Sequence, residues 1–153
     1  MARGYAPVAV VLLLVVTVVA AAVVALALPE LSAEPPPNRG VVAEATADGR
    51  VSLTLVSGPE ITVGNLDVRV VVDGEPLDHQ PPVPFFAARG FHGGPTGPFN
   101  VADDSTWRVG ESTAFSVAAT NDPALSAGAD VEVELRVRGR PVAGASTTVE
   151  EQS

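Results

Sequence analysis

Residues 8–28 read VAVVLLLVVTVVAAAVVALAL, twenty-one in a row with no charge and a single threonine. At about 1.5 Å of rise per residue, a helix of that length spans about 31 Å, the thickness of a bilayer's hydrocarbon core. Valine is a modest helix former in water. In lipid the backbone has no other way to pair its polar groups, so the helix wins. No polar stripe of helical period interrupts the run, which argues against a helix lying in the membrane surface. Arg3 and the terminal amine flank one side, Glu30 and Glu34 the other. The positive end stays in the cytoplasm, so the expectation is a single-pass protein of the cell membrane with its C-terminal bulk outside. Pro29 ends the helix at the far face.

Three fates are open to this segment. In a signal peptide, the small-x-small triplet Ala25-Leu26-Ala27 would mark the cut. In a plain anchor nothing is cut. The third fate rests on the stretch just before the run, Arg3-Gly4-Tyr5-Ala6-Pro7-Val8. It resembles the prepilin processing site of archaeal type IV pilins. In that family a basic residue and a glycine precede a short motif close to Ser-Pro-Val-Ile-Gly and then a hydrophobic helix. Here Ala6 stands where serine is usual, and Ala9-Val10 stand where isoleucine-glycine is usual. The resemblance implies a leader of residues 1–4, removed by a prepilin peptidase between Gly4 and Tyr5. Arg3, Gly4 and Tyr5 form the processing site it implies. It further implies a helix over 5–29 through which subunits self-associate. More loosely, haloarchaeal pilin-like proteins carry stretches similar to Gly58-Pro59-Glu60-Ile61, Asn65-Leu66-Asp67-Val68-Arg69-Val70 and Trp107-Arg108-Val109-Gly110.

Composition narrows the chemistry. There is no cysteine, hence no disulfide, thiolate nucleophile or cysteine-held zinc. All nine basic residues are arginine, so phosphate loops and Schiff bases that need lysine are excluded. Eighteen acidic residues set the net charge at −9, which argues against a nucleic-acid partner. An acidic, lysine-free surface suits concentrated salt, where self-repulsion is screened. A GC-rich genome that favours arginine codons gives the same composition.

Beyond the run, Pro35-Pro36-Pro37 stiffens a spacer assigned to residues 30–50. The period then becomes two. Val51-Ser52-Leu53-Thr54-Leu55, Leu66-Asp67-Val68-Arg69-Val70 and Val131-Glu132-Val133-Glu134-Leu135-Arg136-Val137 each alternate apolar and polar, the mark of a strand with one buried face. Residues 107–117 and 145–149 predict two more. Asp73-Gly74 suits a tight hairpin turn, and Pro76 confines the next strand to a sheet edge. Arg138-Gly139-Arg140 predicts another turn. The expected fold is an N-terminal transmembrane helix followed by a mainly-β domain over 51–153, a small antiparallel β-sandwich of immunoglobulin-like architecture with six to eight strands. Its expected inward residues are Val51, Leu53, Leu55, Leu66, Val68, Val70, Val109, Phe115, Val117, Val131, Val133, Leu135, Val137 and Val149.

No catalytic constellation emerges. His79 and His92 are 13 residues apart with Asp78, Asp103 and Asp104 nearby, a spacing that matches no metal-ligand signature. Asp103-Asp104-Ser105 lacks the rest of a calcium loop. His92-Gly93-Gly94-Pro95 opens no helix that could cradle phosphate. No metal, cofactor or enzymatic activity is expected. The unusual segment is 78–105, with five prolines, four glycines and four of the five phenylalanines. Phe85, Phe86, Phe91 and Phe99 are candidate contacts to a partner. The competing expectation is that at least two of them fold back to close one end of the domain. The functional expectation is a structural, pilin-like subunit of a type IV pilus-like surface filament serving adhesion or surface contact. The alternative is a single-pass anchored domain that binds a ligand or partner without polymerising.

Overall fold

The computed structural model describes residues 38–152. The apolar run at 8–28, its expected orientation and the processing residues Arg3, Gly4 and Tyr5 lie outside the described residues. Among the described residues no helix is long and apolar enough to cross a membrane.

Within 38–152 the chain is a mainly antiparallel β domain. Its strands are β1 (Gly40–Ala45), β2 (Arg50–Ser57), β3 (Ile61–Thr62), β4 (Leu66–Val72), β5 (Glu75–Pro76), β6 (Thr106–Trp107), β7 (Ser112–Ser116), β8 (Asp130–Val137) and β9 (Arg140–Thr148). Helical structure among these residues is limited to two 3₁₀ turns, Val63–Asn65 and Gly97–Phe99. A three-stranded sheet runs in the order β1-β2-β7, and a four-stranded sheet runs β5-β4-β8-β9. β3 and β6 pair by themselves, with Ile61 opposite Trp107.

The alternating segments become the inner faces of the two larger sheets. Val51, Leu53 and Leu55 of β2 are fully buried. They share one core with Leu66, Val68, Val70 and Val72 of β4 and with Val131, Val133 and Leu135 of β8. Burying each such side chain contributes about 1.5–3 kcal/mol, so this cluster carries most of the stability. Phe115, Val117 and Val149 join it as expected, and Val137 is half-buried against its rim.

Val109 does not join it: it is 52% exposed. The strand expected across 107–117 is interrupted. β6 ends at Trp107, and residues 108–111 form a turn closed by Glu111 N–H donating to the Arg108 carbonyl at 3.0 Å. Gly110 holds φ +90 there, the left-handed position that glycine occupies without a Cβ penalty. The turn wraps the Trp107 indole, whose Nε1 donates to the Glu111 carbonyl at 2.8 Å. That hydrogen bond lets a fully buried tryptophan keep its N–H satisfied, and it leaves Val109 at the outer corner.

The hairpin turns form where the sequence puts them. Asp73 and Gly74 both take positive φ (50 and 82), joining β4 to the two-residue β5 that ends in Pro76 at the sheet edge. Arg138 and Gly139 do the same between β8 and β9 (φ 51 and 79).

β1 falls inside the 30–50 stretch assigned to the proline spacer. It pairs with β2 from Gly40↔Ser57 to Ala45↔Val51. Arg39, at its entry, is fastened on three sides. Its backbone N–H donates to Val142 O at 3.0 Å, and its guanidinium donates to Asn38 Oδ1 at 2.8 Å and to the carbonyls of Pro59 at 2.9 Å and Glu60 at 3.3 Å. At the other end of β1, Glu150 N–H donates to Ala45 O and Ala47 N–H donates to Glu150 O, both at 2.9 Å. The outer edges of β1 and β9 are thus tied together at both ends.

Candidate functional site

The proline- and glycine-rich segment 78–105 is the region most unlike ordinary sheet. It is ordered by aromatic packing. Phe85 and Phe91 meet at 5.5 Å between ring centroids, and Phe91 meets Phe115 edge-on at 5.8 Å. Phe99 lies between Trp107 (5.3 Å, edge-on) and Phe115 (6.4 Å, stacked). Phe85, Phe91 and Phe99 are therefore core, and their side chains offer a partner almost nothing to touch. Their burial agrees with the expectation that at least two of the four fold back into the domain, and it removes Phe85, Phe91 and Phe99 as candidate contacts to a partner. A small domain with one tryptophan draws its aromatic mass from this loop. Phe86 is different, at 70% exposed. Its neighbourhood is fixed by Phe85 N–H donating to Phe99 O (2.9 Å) and Val101 N–H donating to Phe85 O (3.2 Å), which brings Val101, 55% exposed, alongside in the backbone.

Two buried or half-buried amides hold the segment. The side chain of Asn121, 2% exposed, accepts from His79 N–H at 3.1 Å and from Asp122 N–H at 3.0 Å. Its Nδ2 donates to the carbonyls of His79 (2.9 Å) and Gly90 (3.2 Å). Gln80 accepts from Val70 N–H at 2.7 Å through Oε1, and its Nε2 donates back to Val70 O at 3.0 Å. A side-chain amide thereby pairs with β4 as a neighbouring strand would. Sequence reasoning missed both residues. The only local signal was Asn121-Asp122-Pro123, a turn-forming triplet.

The histidines do not converge. His79 is half-buried with its backbone tied to Asn121, and His92 is exposed, its N–H donating to Ser116 O at 2.8 Å. Among the described residues no group of three or more His, Asp or Glu is arranged to hold a metal ion. The Asp103-Asp104 pair is a turn. Asp104 accepts from Thr106 N–H at 3.2 Å and from Arg108 at 3.0 Å, and that arginine holds its carboxyl below the usual carboxylate range.

The outer face of the four-stranded sheet carries a ladder of opposite charges. Asp67 stands opposite Arg136, and Arg69 opposite Glu134. A shallow groove crosses it, lined by Arg69, Val71, Glu132, Glu134, Gly144 and Ser146. Its floor is bare backbone, since a Cβ added at Gly144 would meet only Val133 O at 3.8 Å. Such cross-strand pairs on the solvent face of a sheet set register more than stability.

No family model matches the sequence, and comparison with curated proteins finds no significant match.

Proposed function

We propose that this chain is a membrane-inserted, archaeal pilin-like subunit, and that residues 38–152 are the domain it displays outside the cell. The observation that carries the reading is Arg3-Gly4-Tyr5-Ala6-Pro7-Val8 placed directly before the uncharged run at 8–28. On this reading the two larger sheets pack as a β-sandwich of immunoglobulin-like architecture. The segment 5–29 is a helix that inserts in the membrane and later packs against copies of itself in a filament, and a prepilin peptidase removes residues 1–4. Adhesion or surface contact is the role of the assembled filament.

Mass spectrometry of the mature protein tests it. Tyr5 at the N-terminus is expected, and Gly4→Phe should block the cut because the peptidase must close around the scissile bond. An N-terminus at Leu28 would instead mark a signal peptide. Assembly is read separately with Ala21→Leu plus Ala25→Leu, which keep the segment apolar while adding bulk on one helix face. Loss of protein from sheared-cell fractions, with processing intact, is the expected result. Protein that never leaves the membrane fraction favours the anchored, non-polymerising module. Phe86 and Val101, both exposed on the same loop, would then be the place to look for its partner.

A further inference from the structure

β7 is the outer strand of the three-stranded sheet, and its free edge is covered from within the chain. Thr96 N–H donates to Ala114 O at 2.8 Å, and Ala114 N–H returns to Thr96 O at 3.4 Å. His92 N–H donates to Ser116 O at 2.8 Å, and Ala118 N–H donates to Gly90 O at 2.9 Å. The Thr113 hydroxyl adds a bond to Thr96 O at 2.7 Å. At Gly97 the covering chain comes so close that a Cβ would stand 2.5 Å from Ser112 O. Gly93 and Gly94 carry the segment between these attachment points, Gly93 at φ +70. Phe91 and Phe99 anchor the segment near both ends in the core, and Asn121 clamps the Gly90 end.

The strand underneath is a hazard if uncovered. Residues 112–119 read STAFSVAA, with no charge, proline or glycine. A short, uncharged strand of good β-propensity with free backbone groups pairs readily with its own kind. The other edges are managed differently: β1 and β9 are tied to each other at both ends, and β5 carries Pro76.

We propose that residues 90–97 are an edge guard that keeps β7 from pairing with β7 of a second copy, and that Asn121 is the pin that holds the guard in place. Self-association of the β domain is thereby blocked at its most pairing-competent strand. The inference does not depend on what the N-terminal segment does.

The test uses the full chain in excess detergent, comparing the unmodified protein with Asn121→Ala. Protein mass per complex is measured by light scattering and site-resolved amide exchange by mass spectrometry, with Trp107 fluorescence reporting an intact core. The expected result is faster exchange at the His92, Thr96 and Ala118 amides, together with a doubling of protein mass per complex. Adding Ala114→Pro, which removes a donor that faces the guard rather than β2, should return the mass to that of the unmodified chain. Should Asn121→Ala unfold the core, Gly90→Ala displaces the same end, because its Cβ would stand 2.8 Å from Asn121 Nδ2. Accelerated exchange with unchanged mass overturns the guard, and unchanged exchange at all three amides overturns the pin. A mass increase that survives Ala114→Pro also overturns the proposal, since it places the contact elsewhere.

Discussion

The Gln80 side chain holds both backbone groups of Val70, accepting its N–H at 2.7 Å and donating to its carbonyl at 3.0 Å. Val70 is fully buried, and β5 covers only Val71 and Val72 of β4. Without Gln80 the Val70 N–H has no partner. Gln80→Ala should cost about 1–3 kcal/mol, the penalty for an orphaned buried donor. Gln80→Glu keeps the acceptor but sets a carboxylate oxygen where Nε2 now donates to the Val70 and Leu77 carbonyls, so it should also destabilise the domain. Denaturant unfolding followed by Trp107 fluorescence measures both. Equal stability of Gln80→Ala and the unmodified chain would show that water replaces the amide without penalty.

Four neighbouring phenylalanines should behave in two ways. Phe99, between Trp107 and Phe115, is fully buried, and Phe99→Ala should cost about 3–5 kcal/mol by transfer and cavity together. Phe86→Ala should change stability by less than about 0.5 kcal/mol, as exposed substitutions do. A large loss at Phe86 would mean that the residue packs against something in the free protein.

Salt acts on two opposed terms. Arg108 pairs with Asp104 at 3.0 Å and with Glu60 and Glu111 at 3.6 Å, all on the surface. Such exposed pairs contribute little and weaken with salt. Against them stands the acidic excess of residues 38–152, 16 Asp and Glu to 8 Arg, whose repulsion is felt across the domain when the Debye length is about 30 Å and is largely screened when it is about 3 Å. Repulsion should win, so the melting temperature of the domain is expected to rise from millimolar to molar sodium chloride. A flat or falling profile contradicts this balance.

Acid should act through two named carboxyls. Asp48 is held below its ordinary 3.8 chiefly by the Thr46 hydroxyl and then by the Arg50 N–H, and Asp104 chiefly by Arg108. Both carboxyls bind protons more weakly folded than unfolded. Their contribution is therefore complete above about pH 4 and is lost as pH falls through the lowered folded values. The stability gap between the unmodified chain and Asp48→Asn plus Asp104→Asn should be open near neutrality and close in acid. A gap that stays constant into strong acid would assign the effect of the substitutions to something other than titration.

β2, β4 and β8 were legible in the sequence because valine or leucine alternates with serine, threonine or charge, so period and polarity agree. β1 was not. Its inward residues include Ala43 and Ala45, its outward Val42 is 51% exposed, and so apolar contrast runs against the true facing. Val109 is expected inward because alternation from Trp107 continues on paper through a turn that is set by Gly110 at positive φ and by contacts of Glu111 with Arg108, Leu55 and the Trp107 indole. The loop's aromatics could be weighed but not sorted. What distinguishes Phe85 from Phe86 is the backbone pairing of Phe85 with Phe99 and Val101, and those residues are distant in sequence. Asn121 and Gln80 act through amides aimed at backbone groups, an interaction with no periodic signature.

The fastening at Arg39 changes how the domain answers a pull. A load arriving along the chain at Asn38 would reach β1 first, and a strand drawn from its end normally unzips one bond at a time. Here the tension divides before it reaches Gly40. Part passes through the Arg39 guanidinium to the corner at Pro59 and Glu60, and part through its N–H to Val142 on the opposite sheet. Gly58, at φ +99 and with no room for a Cβ beside Asn38 and Arg39, lets that corner close on the entering chain. The entry point is fastened both to the loop after β2 and to β9, so these attachments must give before β1 peels from its end.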